Sequence, residues 1–163
     1  MKKKILEFLE ESNHIEGEYS DIAYKDSIKA WEYAFNDKDN ITLSYILKIH
    51  EILMKRLRPD IAGKIRDCDV YIGGQRKFFI SETLIRADLQ MKVCFEMISH
   101  PVAGWEEHKA KQLHIDFENI HPFVDGNGRV GRILYNIHRL RLGLDLHVIH
   151  TGDEQKEYYK WFN

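Results

Sequence analysis

The sequence contains little cysteine and no long apolar run. Two cysteines, Cys68 and Cys94, are too few for the disulfide framework of a small secreted protein, so we expect reduced thiols and a cytoplasmic protein. Cys94 lies in an apolar helical pattern and is expected to be part of the core. The basic start at 2–4 resembles the opening of a signal peptide, but Glu7 and later glutamates interrupt the apolar stretch that would have to follow. No apolar segment approaches the roughly 20 residues that cross a bilayer, which argues against a membrane partner.

An excess of either charge is also lacking. Lys and Arg total 24, Asp and Glu total 26, and the net charge is −2. Direct binding of nucleic acid needs a basic excess, so this balance excludes a broad nucleic-acid surface but leaves room for one small charged site. Hydrophobic residues make up 44% of the 163 residues, which excludes an intrinsically disordered chain and predicts one domain with one core.

Helical periodicity dominates what is present. Apolar residues recur with a period of 3.6 through most of the chain, as in the stripe formed by Ala110, Leu113, Phe117 and Ile120, which is expected to face the core. We therefore expect an all-α domain without repeats or linkers. The pattern predicts helices over 3–13, 21–36, 42–57, 81–99, 105–120, 129–142 and 153–162.

One stretch breaks the helical pattern. Two β-prone runs on either side of Gly73 and Gly74 predict a β-hairpin over 69–80. An exposed edge of such a hairpin accepts an extended peptide by strand addition. A plain surface connection between two helices is the alternative interpretation.

The most unusual segment is residues 121–132, with the sequence HPFVDGNGRVGR. Its three glycines, Gly126, Gly128 and Gly131, satisfy the dinucleotide-binding pattern G-x-G-x-x-G. That pattern requires a preceding β-strand, whereas here a predicted helix and a proline precede it. A protein-kinase glycine loop is excluded as well, because the V-A-I-K, H-R-D and D-F-G sequences are missing.

Elementary chemistry still indicates an anion site in this segment. Glycines let the backbone bend until several N–H groups point at one place, and the helix predicted from about 129 begins with unpaired N–H groups and a partial positive charge. Arg129 and Arg132 lie nearly one turn apart, where they can bind further phosphate oxygens. For Arg139 and Arg141, farther along the helix, we expect plain solvent exposure.

Other residues in the segment have both a plain and a chemical interpretation. Asp125 is either a turn or N-cap residue, or a ligand of Mg²⁺ that bridges it to phosphate. His121 is either a helix-terminal histidine held by the helix dipole or a base that removes a proton near neutral pH. Phe123 is expected to anchor the loop in the core. A zinc site from His108, His114 and His121 is excluded, because their spacings of six and seven place them on different helix faces.

The same twelve residues match the motif H-x-F-x-[DE]-G-N-G-R-x-x-R of the Fic family at every defined position. The resemblance extends from residues 63–66 through the predicted hairpin to the helix after the motif. It implies the Fic fold, a single-domain helical bundle with a short β-hairpin flap, in which residues 21–163 form the Fic domain. It also implies protein adenylyltransferase activity, in which AMP passes from ATP to a hydroxyl group of a target protein.

By motif position, the resemblance implies a role for each residue of the segment. His121 resembles the general base that deprotonates the target hydroxyl. Asp125 resembles the residue that holds Mg²⁺ across the α- and β-phosphates of ATP, and Arg132 the residue that binds the γ-phosphate. The anion hole and its support would come from Gly126, Asn127, Gly128 and Arg129.

The resemblance also implies how a target protein would bind. A flap at 69–80 would bind the target backbone and position it beside the α-phosphate. The flap residues are Val70, Tyr71, Ile72, Gly73 and Gly74. Aromatic candidates for the pocket of the nucleotide base are Tyr71, Phe78 and Tyr135. The sequence does not identify the target protein. The chain itself is one option, by auto-AMPylation, and an oligomer is compatible with this interpretation.

A second motif match lies upstream. Residues 12–17, SNHIEG, fit the pattern [ST]-x-x-x-E-[GN] of Fic inhibitory motifs, with Ser12, Glu16 and Gly17 at the defined positions. Because the match precedes the domain, residues 1–20 resemble the N-terminal inhibitory segment of the class II proteins. The resemblance implies that Glu16 pairs with Arg132 and occupies space needed by the γ-phosphate. A surface glutamate after a short helix is the plain alternative.

Three further functions are alternatives at this stage. Phosphotransfer is the reaction of the death-on-curing relatives, whose motif departs from the G-N-G portion that residues 126–128 keep. Removal of AMP from a modified target would use Glu16 to position water. A non-catalytic nucleotide-binding regulator is the alternative outside enzymes.

Overall fold

The predicted helices form a bundle around one central helix. The computed structural model describes residues 2–37, 40–72, 74–94 and 104–162. In chain order its elements are α1 (Lys2–Ile15), α2 (Asp21–Asn36), α3 (Leu43–Met54), β1 (Val70–Ile72), β2 (Gln75–Lys77), α4 (Glu82–Lys92), α5 (Trp105–Ile120), α6 (Asn127–Arg141) and α7 (Asp153–Tyr159), followed by a 3-10 turn at Lys160–Phe162. The all-α class with a short hairpin is confirmed.

Three helices begin after a hydroxyl side chain that accepts a backbone N–H of the first turn, which satisfies one of the unpaired donors there. These caps are Ser20, Thr42 and Ser81, which accept from Ala23, Tyr45 and Leu84 at 3.2, 3.2 and 3.1 Å. Local sequence therefore sets where α2, α3 and α4 begin.

Helix α6 lies at the centre of the bundle and contacts α1, α2, α3 and α5. All residues from 129 to 139 are buried, whichever face of the helix they occupy. The expectation that Arg139 is exposed was therefore wrong. Arg139 forms an ion pair with Glu107 and donates to the Asp145 carbonyl at 2.7 Å, while the half-buried Arg141 donates to the Asp37 carbonyl at 2.9 Å. Partners supplied by distant segments make these cations tolerable inside the molecule.

Helix α5 packs closely along α6. The predicted stripe of Ala110, Leu113, Phe117 and Ile120 is buried, with each residue 7% exposed or less. Gly131 permits the close approach, because a Cβ atom there would collide with the Glu118 carboxylate and lie 3.0 Å from atoms of His114 and Phe117. This contact brings the end of α5 next to the start of α6.

Several helix boundaries differ from those predicted. The helix predicted over 81–99 ends at Lys92, because the N–H groups of both Val93 and Cys94 bond to the Leu89 carbonyl and close the last turn. Residues 95–99 of that prediction lie outside the described residues. Helix α3 ends at Met54 instead of 57, and α6 begins at Asn127, two residues before the predicted start. Helix α7 ends at Tyr159, before the predicted end at 162.

The hairpin is present and short. Val70 pairs with Lys77, Tyr71 with Arg76, and Ile72 with Gln75. Gly74 has a positive φ of 82°, as the turn requires, whereas Gly73 lies outside the described residues.

Cys94 was expected in the core, and the structure places it at the edge of the core. Cys94 is half-buried against the core, and burial raises the pKa of its thiol to about 11, whereas Cys68 is exposed. Both cysteines are free. Within the ranges that the structure describes, no helix is long and apolar enough to span a membrane.

Candidate active site

The loop between α5 and α6, residues 121–126, is called the anion loop here, and hydrogen bonds hold its shape. His121 ends α5 in the left-handed conformation, at φ 49°, and its N–H donates to the Phe117 carbonyl. The Phe123 N–H donates to Asn127 Oδ1 at 2.9 Å, and the Asn127 amide donates to the Phe123 carbonyl at 2.8 Å. Phe123 is completely buried, as expected for an anchor. The loop therefore leads directly from the end of one helix to the start of the next.

The start of α6 faces a carboxylate from the far end of the chain. Gly126 precedes the helix at φ 80°, and a Cβ atom at Gly128 in the first turn would collide with the carboxylate of Glu16. The same Cβ would lie 2.9 Å from Arg132 Nη1. Glu16 thus places its negative charge over a helix start, where unpaired N–H groups and the helix dipole favour an anion.

Arg132 is held by the last turn of α1. Its Nη2 donates to Glu16 Oε1 at 2.7 Å and to the Ser12 carbonyl at 2.8 Å, and its Nε donates to Ser12 Oγ at 3.0 Å. The Arg132 side chain is 2% exposed, whereas that of Glu16 is 36% exposed. Arg132 is therefore desolvated, Glu16 only partly so, and the guanidinium group of Arg132 donates three hydrogen bonds to α1 and Glu16.

Gly17 explains why Glu16 reaches this position. Helix α1 ends at Ile15, and Gly17 follows at φ 69°, a conformation that glycine and asparagine adopt most easily. Its N–H donates to the His14 carbonyl at 2.9 Å, and the Glu18 N–H donates to the Asn13 carbonyl at 3.0 Å. This turn stops the helix directly after Ser12 and Glu16 have been placed on Arg132.

His121 is neutral at physiological pH. Its side chain is 16% exposed, and burial lowers its pKa from an ordinary value of 6.5 to about 4. Among the described residues its Nδ1 has no hydrogen-bond partner, and the nearest carboxylate oxygen, Glu118 Oε2, lies 3.8 Å away. A neutral imidazole can accept a proton, which is the state that a general base requires.

Glu118 was not predicted as a site residue. It lies one turn before His121 on α5, and burial raises its pKa from 4.5 to about 7 against the opposing effect of Arg132. Within the described part of the chain its Oε1 has no hydrogen-bond partner. The sequence signal was its spacing of three from His121 on a helix, which a surface carboxylate shows equally often.

Arg66 was also missed, although it lies in the segment 63–66 that carries part of the family resemblance. It is 1% exposed and donates to three backbone carbonyls: His121 at 2.9 Å, Cys68 at 2.8 Å and Phe78 at 3.2 Å. Its own N–H donates to the Pro122 carbonyl at 2.9 Å. Arg66 therefore joins the base of the hairpin to the residue that ends α5.

Arg129 and Asp125 lie on the two sides of the helix start. Arg129 is buried, with Nη2 3.3 Å from Met54 Sδ and 4.0 Å from Asp125 Oδ1. The side chain of Asp125 is 53% exposed, and its Oδ1 accepts the Gly126 N–H at 2.6 Å. The structure thus brings the whole predicted segment to one place, with Asp125 facing solvent at its edge.

The three aromatic candidates for a base pocket do not share one environment. Tyr71 and Phe78 are exposed on the hairpin, at 69% and 63%. Tyr135 is fully buried on α6, with its hydroxyl 3.0 Å from His147 Nδ1 and accepting from Arg139 Nη1 at 3.2 Å. Burial makes Tyr135 unavailable to a nucleotide base, so that part of the prediction was wrong.

No metal cluster is present among the described residues, since no group of three or more His, Cys, Asp or Glu side chains has a suitable arrangement. His114 instead lies 2.9 Å, through Nε2, from the Tyr158 hydroxyl in a cluster of aromatic rings.

Comparisons with known proteins agree with this geometry. Residues 40–138, more than half of the chain, match the Fic/DOC family. A curated relative called Protein adenylyltransferase Fic, from Aedes aegypti, is 33% identical over 128 residues, which cover 76% of this chain and 24% of the relative. A protein of the same name from Culex quinquefasciatus is 31% identical over 126 residues. The chain spans about a quarter of the length of these relatives.

Solved structures are similar in fold. Fic-1 from C. elegans superposes with a TM-score of 0.75 at 21% identity, covering 98% of this chain and 55% of that one. A Fic domain containing signaling protein from Bacteroides thetaiotaomicron gives 0.73 at 22% identity, covering 98% of this chain and 71% of that one. At these identities the likeness concerns the fold alone.

Proposed function

This chain belongs to the Fic/DOC family, and we propose that it is a protein adenylyltransferase that transfers AMP from ATP to a hydroxyl group of a target protein. The observation that carries the proposal is the juxtaposition of a neutral buried imidazole, His121, with a glycine-bearing helix start beside which the Glu16 carboxylate lies, bound to Arg132. The curated relatives named as adenylyltransferases support the same reaction.

In this reaction His121 acts as the general base. The hydroxyl oxygen of the target attacks the α-phosphorus of ATP, its proton passes to the imidazole, and the bond from the α-phosphorus to the bridging oxygen breaks to release pyrophosphate. A base with a pKa of about 4 is weak, so it acts as the new bond forms and the hydroxyl becomes more acidic. A positioned base contributes about 10²–10⁴-fold to the rate.

The start of α6 binds the phosphates. The backbone at Gly126, Asn127 and Gly128 forms the anion hole. The N–H groups of Asn127 and Gly128 stabilise the charge that develops on the phosphoryl oxygens, since that of Gly126 donates to the Asp125 carboxylate. Arg132 binds the γ-phosphate once Glu16 has left it. Arg129 is buried against Met54 and supports this helix start on the side that faces α3. We assign these roles by motif position together with the geometry of the loop.

Asp125 fits the role of the Mg²⁺ ligand. It is a half-exposed carboxylate at the edge of the helix start, and the described residues supply no cluster that would bind a metal by itself. Mg²⁺ uses one or two carboxylates together with phosphate oxygens and water, so a single protein ligand suffices. When bound, the ion held by Asp125 would supply positive charge that neutralises part of the charge on the phosphates.

Residues 1–20 act as an inhibitory segment in this proposal, and residues 21–163 as the catalytic domain. Glu16 occupies the anion position above Gly128 and neutralises Arg132, so ATP binds with its γ-phosphate displaced and its α-phosphate out of line for attack. Misplacement by about 1 Å costs on the order of 10²-fold in rate. In this proposal, the conformation in which Glu16 is bound to Arg132 is the inhibited one.

The target is a protein, and the chain itself is the first substrate to test. The flap at 69–80 would register the backbone of the target, with the exposed Tyr71 at its surface. A cytoplasmic location and the possibility of an oligomer remain predictions from the sequence.

The test is incubation with ATP labelled at the α-phosphate and Mg²⁺, followed by intact mass. We expect Glu16→Gly to gain the mass of AMP, the wild type to gain much less, and Glu16→Gly combined with His121→Ala to lose about 10²–10⁴-fold in labelling rate. Equal labelling of the wild type and Glu16→Gly would contradict the proposed inhibitory role of Glu16. A parallel incubation uses ATP labelled at the γ-phosphate, and label from that phosphate alone would show phosphotransfer instead of adenylyl transfer. A second parallel incubation starts from a pre-modified substrate, and loss of its AMP would show the reverse reaction.

A further inference from the structure

We propose that His50 is a positioning residue that holds the anion loop in its phosphate-binding shape. The inference rests on the proposed function, because it assigns a role at the same site to a residue outside the motif. His50 lies on α3, 75 residues before Asp125, and is 0% exposed.

Two hydrogen bonds determine the tautomer and the direction of the His50 ring. The Gly63 N–H donates to Nδ1 at 2.9 Å, so Nδ1 is the acceptor and the ring proton lies on Nε2. Nε2 is 3.0 Å from the Asp125 backbone oxygen and therefore donates to it. The ring joins the segment 63–66 to the carbonyl of the residue that would hold Mg²⁺.

The face of the His50 ring supports the loop as well. It stacks on Phe123 with ring centroids 3.7 Å apart and planes 2° from parallel. Phe123 is buried, so the stack cannot slide toward solvent. Ring edge and ring face thus bind two different residues of the anion loop.

Met54, one turn later on α3, completes this support. A Cβ atom at Gly126 would lie 2.9 Å from Met54 Sδ and 3.5 Å from His50 Cδ2, so the loop backbone rests directly on both side chains. The Arg129 guanidinium contacts the same sulfur at 3.3 Å. Helix α3 therefore carries a surface formed by His50 and Met54 beneath the residues that bind phosphate.

The consequence concerns the peptide group between Asp125 and Gly126. Its carbonyl accepts from His50 Nε2, and its N–H donates to the Asp125 carboxylate at 2.6 Å. These two bonds fix the orientation of the peptide group, and thereby the backbone direction at Asn127 and Gly128, which follow it. Without the bond from His50 the carbonyl loses its donor, and the peptide group can rotate away from the phosphate-binding direction. The effect should fall on nucleotide binding and transfer rate more than on folding.

Two substitutions separate positioning from a structural role. In His50→Gln the amide nitrogen occupies nearly the place of Nε2 and keeps the bond to Asp125. In His50→Asn the shorter amide keeps an acceptor for Gly63 but cannot reach Asp125. A third variant, His50→Phe, keeps the stack on Phe123 and loses both hydrogen bonds. Lys55→Ala, at an exposed residue directly after the same helix, is the control.

The experiment measures labelling rate, ATP affinity with Mg²⁺ by calorimetry, and amide exchange of residues 123–128, all in the Glu16→Gly background. We expect His50→Asn and His50→Phe to lose about 10- to 100-fold in labelling rate and to exchange faster in the loop, with His50→Gln within about threefold of the parent. Equal losses in His50→Asn and His50→Gln, or a change in Tm alone, would overturn the positioning role. If the parent transfers no AMP, the proposed function fails, whereas ATP affinity and loop exchange still decide the role of His50.

Discussion

Two buried histidines on adjacent helices differ in how many ring nitrogens are hydrogen-bonded, one for His114 and none for His138 among the described residues. His114 on α5 is hydrogen-bonded to the Tyr158 hydroxyl and lies among aromatic rings. His138 on α6 is 1% exposed, and in the described ranges neither of its ring nitrogens has a hydrogen-bond partner. A buried polar group without a partner costs about 1–3 kcal/mol, so the unsatisfied ring of His138 lowers the free energy of unfolding.

We expect His138→Leu to raise the free energy of unfolding by about 1 kcal/mol, because an apolar side chain of similar size removes an unsatisfied polar group. Tm should rise by roughly 2–4 °C in a chain of this length. Calorimetry at neutral pH measures both quantities. The matched control is His114→Leu, which should lower Tm because it removes the buried hydrogen bond between His114 and the Tyr158 hydroxyl. A lower Tm for His138→Leu would mean that the ring makes contacts the hydrogen-bond pattern does not reveal.

Between elements, the short hairpin and the end of α5 are coupled through one buried cation. Arg66 bonds to carbonyls of His121, Cys68 and Phe78, and so ties both ends of the hairpin to the proposed base. A target strand aligned on the hairpin would thereby be aligned with His121 as well. The hairpin has only three paired residues in each strand, so its own ladder gives little rigidity.

We expect Arg66→Lys to reduce AMP transfer by about 10- to 100-fold while ATP affinity changes little, because a lysine ammonium cannot span three carbonyls as the planar guanidinium does. Labelling in the Glu16→Gly background, with ATP affinity measured in parallel, gives the answer. The control is Arg86→Lys, which alters an exposed ion pair with Glu82 on α4, outside the hairpin, and should leave transfer within about twofold. A parallel loss of ATP binding in Arg66→Lys would contradict a role confined to alignment.

At the scale of the whole molecule, buried histidines make stability depend on pH. Burial lowers the pKa of His50 and His121 to about 4, and that of His114 and His138 to about 3, from an ordinary value of 6.5. Below pH 6.5 the unfolded chain binds protons at these rings that the folded chain excludes, so stability falls as the pH falls. Glu118 opposes this between its ordinary pKa of 4.5 and about 7, where the folded chain holds the extra proton.

We expect Tm to decrease steadily from about pH 7 to about pH 5, because four histidines outweigh one glutamate. Each excess proton bound by the unfolded chain costs about 1.4 kcal/mol per pH unit. Thermal unfolding followed by circular dichroism across this range measures the slope, and His138→Leu should make it shallower by one proton. A Tm that stays level or rises toward pH 5 would show that these rings are protonated in the folded state.

Local pattern predicted most of the elements because their causes are local. Apolar period, hydroxyl caps and a glycine pair are properties of neighbouring residues. They placed the hairpin and most helix ends to within a few positions, although the helix predicted to end at 99 ends at Lys92. The proposal of one anion site at 121–132 rests on the same kind of local pattern. The exposure of Arg139 was predicted wrongly, because the ion pair with Glu107 that makes its burial tolerable comes from another helix.

The amino-acid sequence by itself determined the residues that carry the proposed chemistry and the motif that pairs Glu16 with Arg132. Only the tertiary structure decided what surrounds them: His50 and Met54 beneath the anion loop, Arg66 between the hairpin and His121, and Glu118 beside the proposed base. The physical reason is the distance along the chain between the residues that interact. A helix start or a turn is set by residues a few positions apart, whereas these contacts join residues far apart in the chain or depend on burial, which arises only when the helices close around α6.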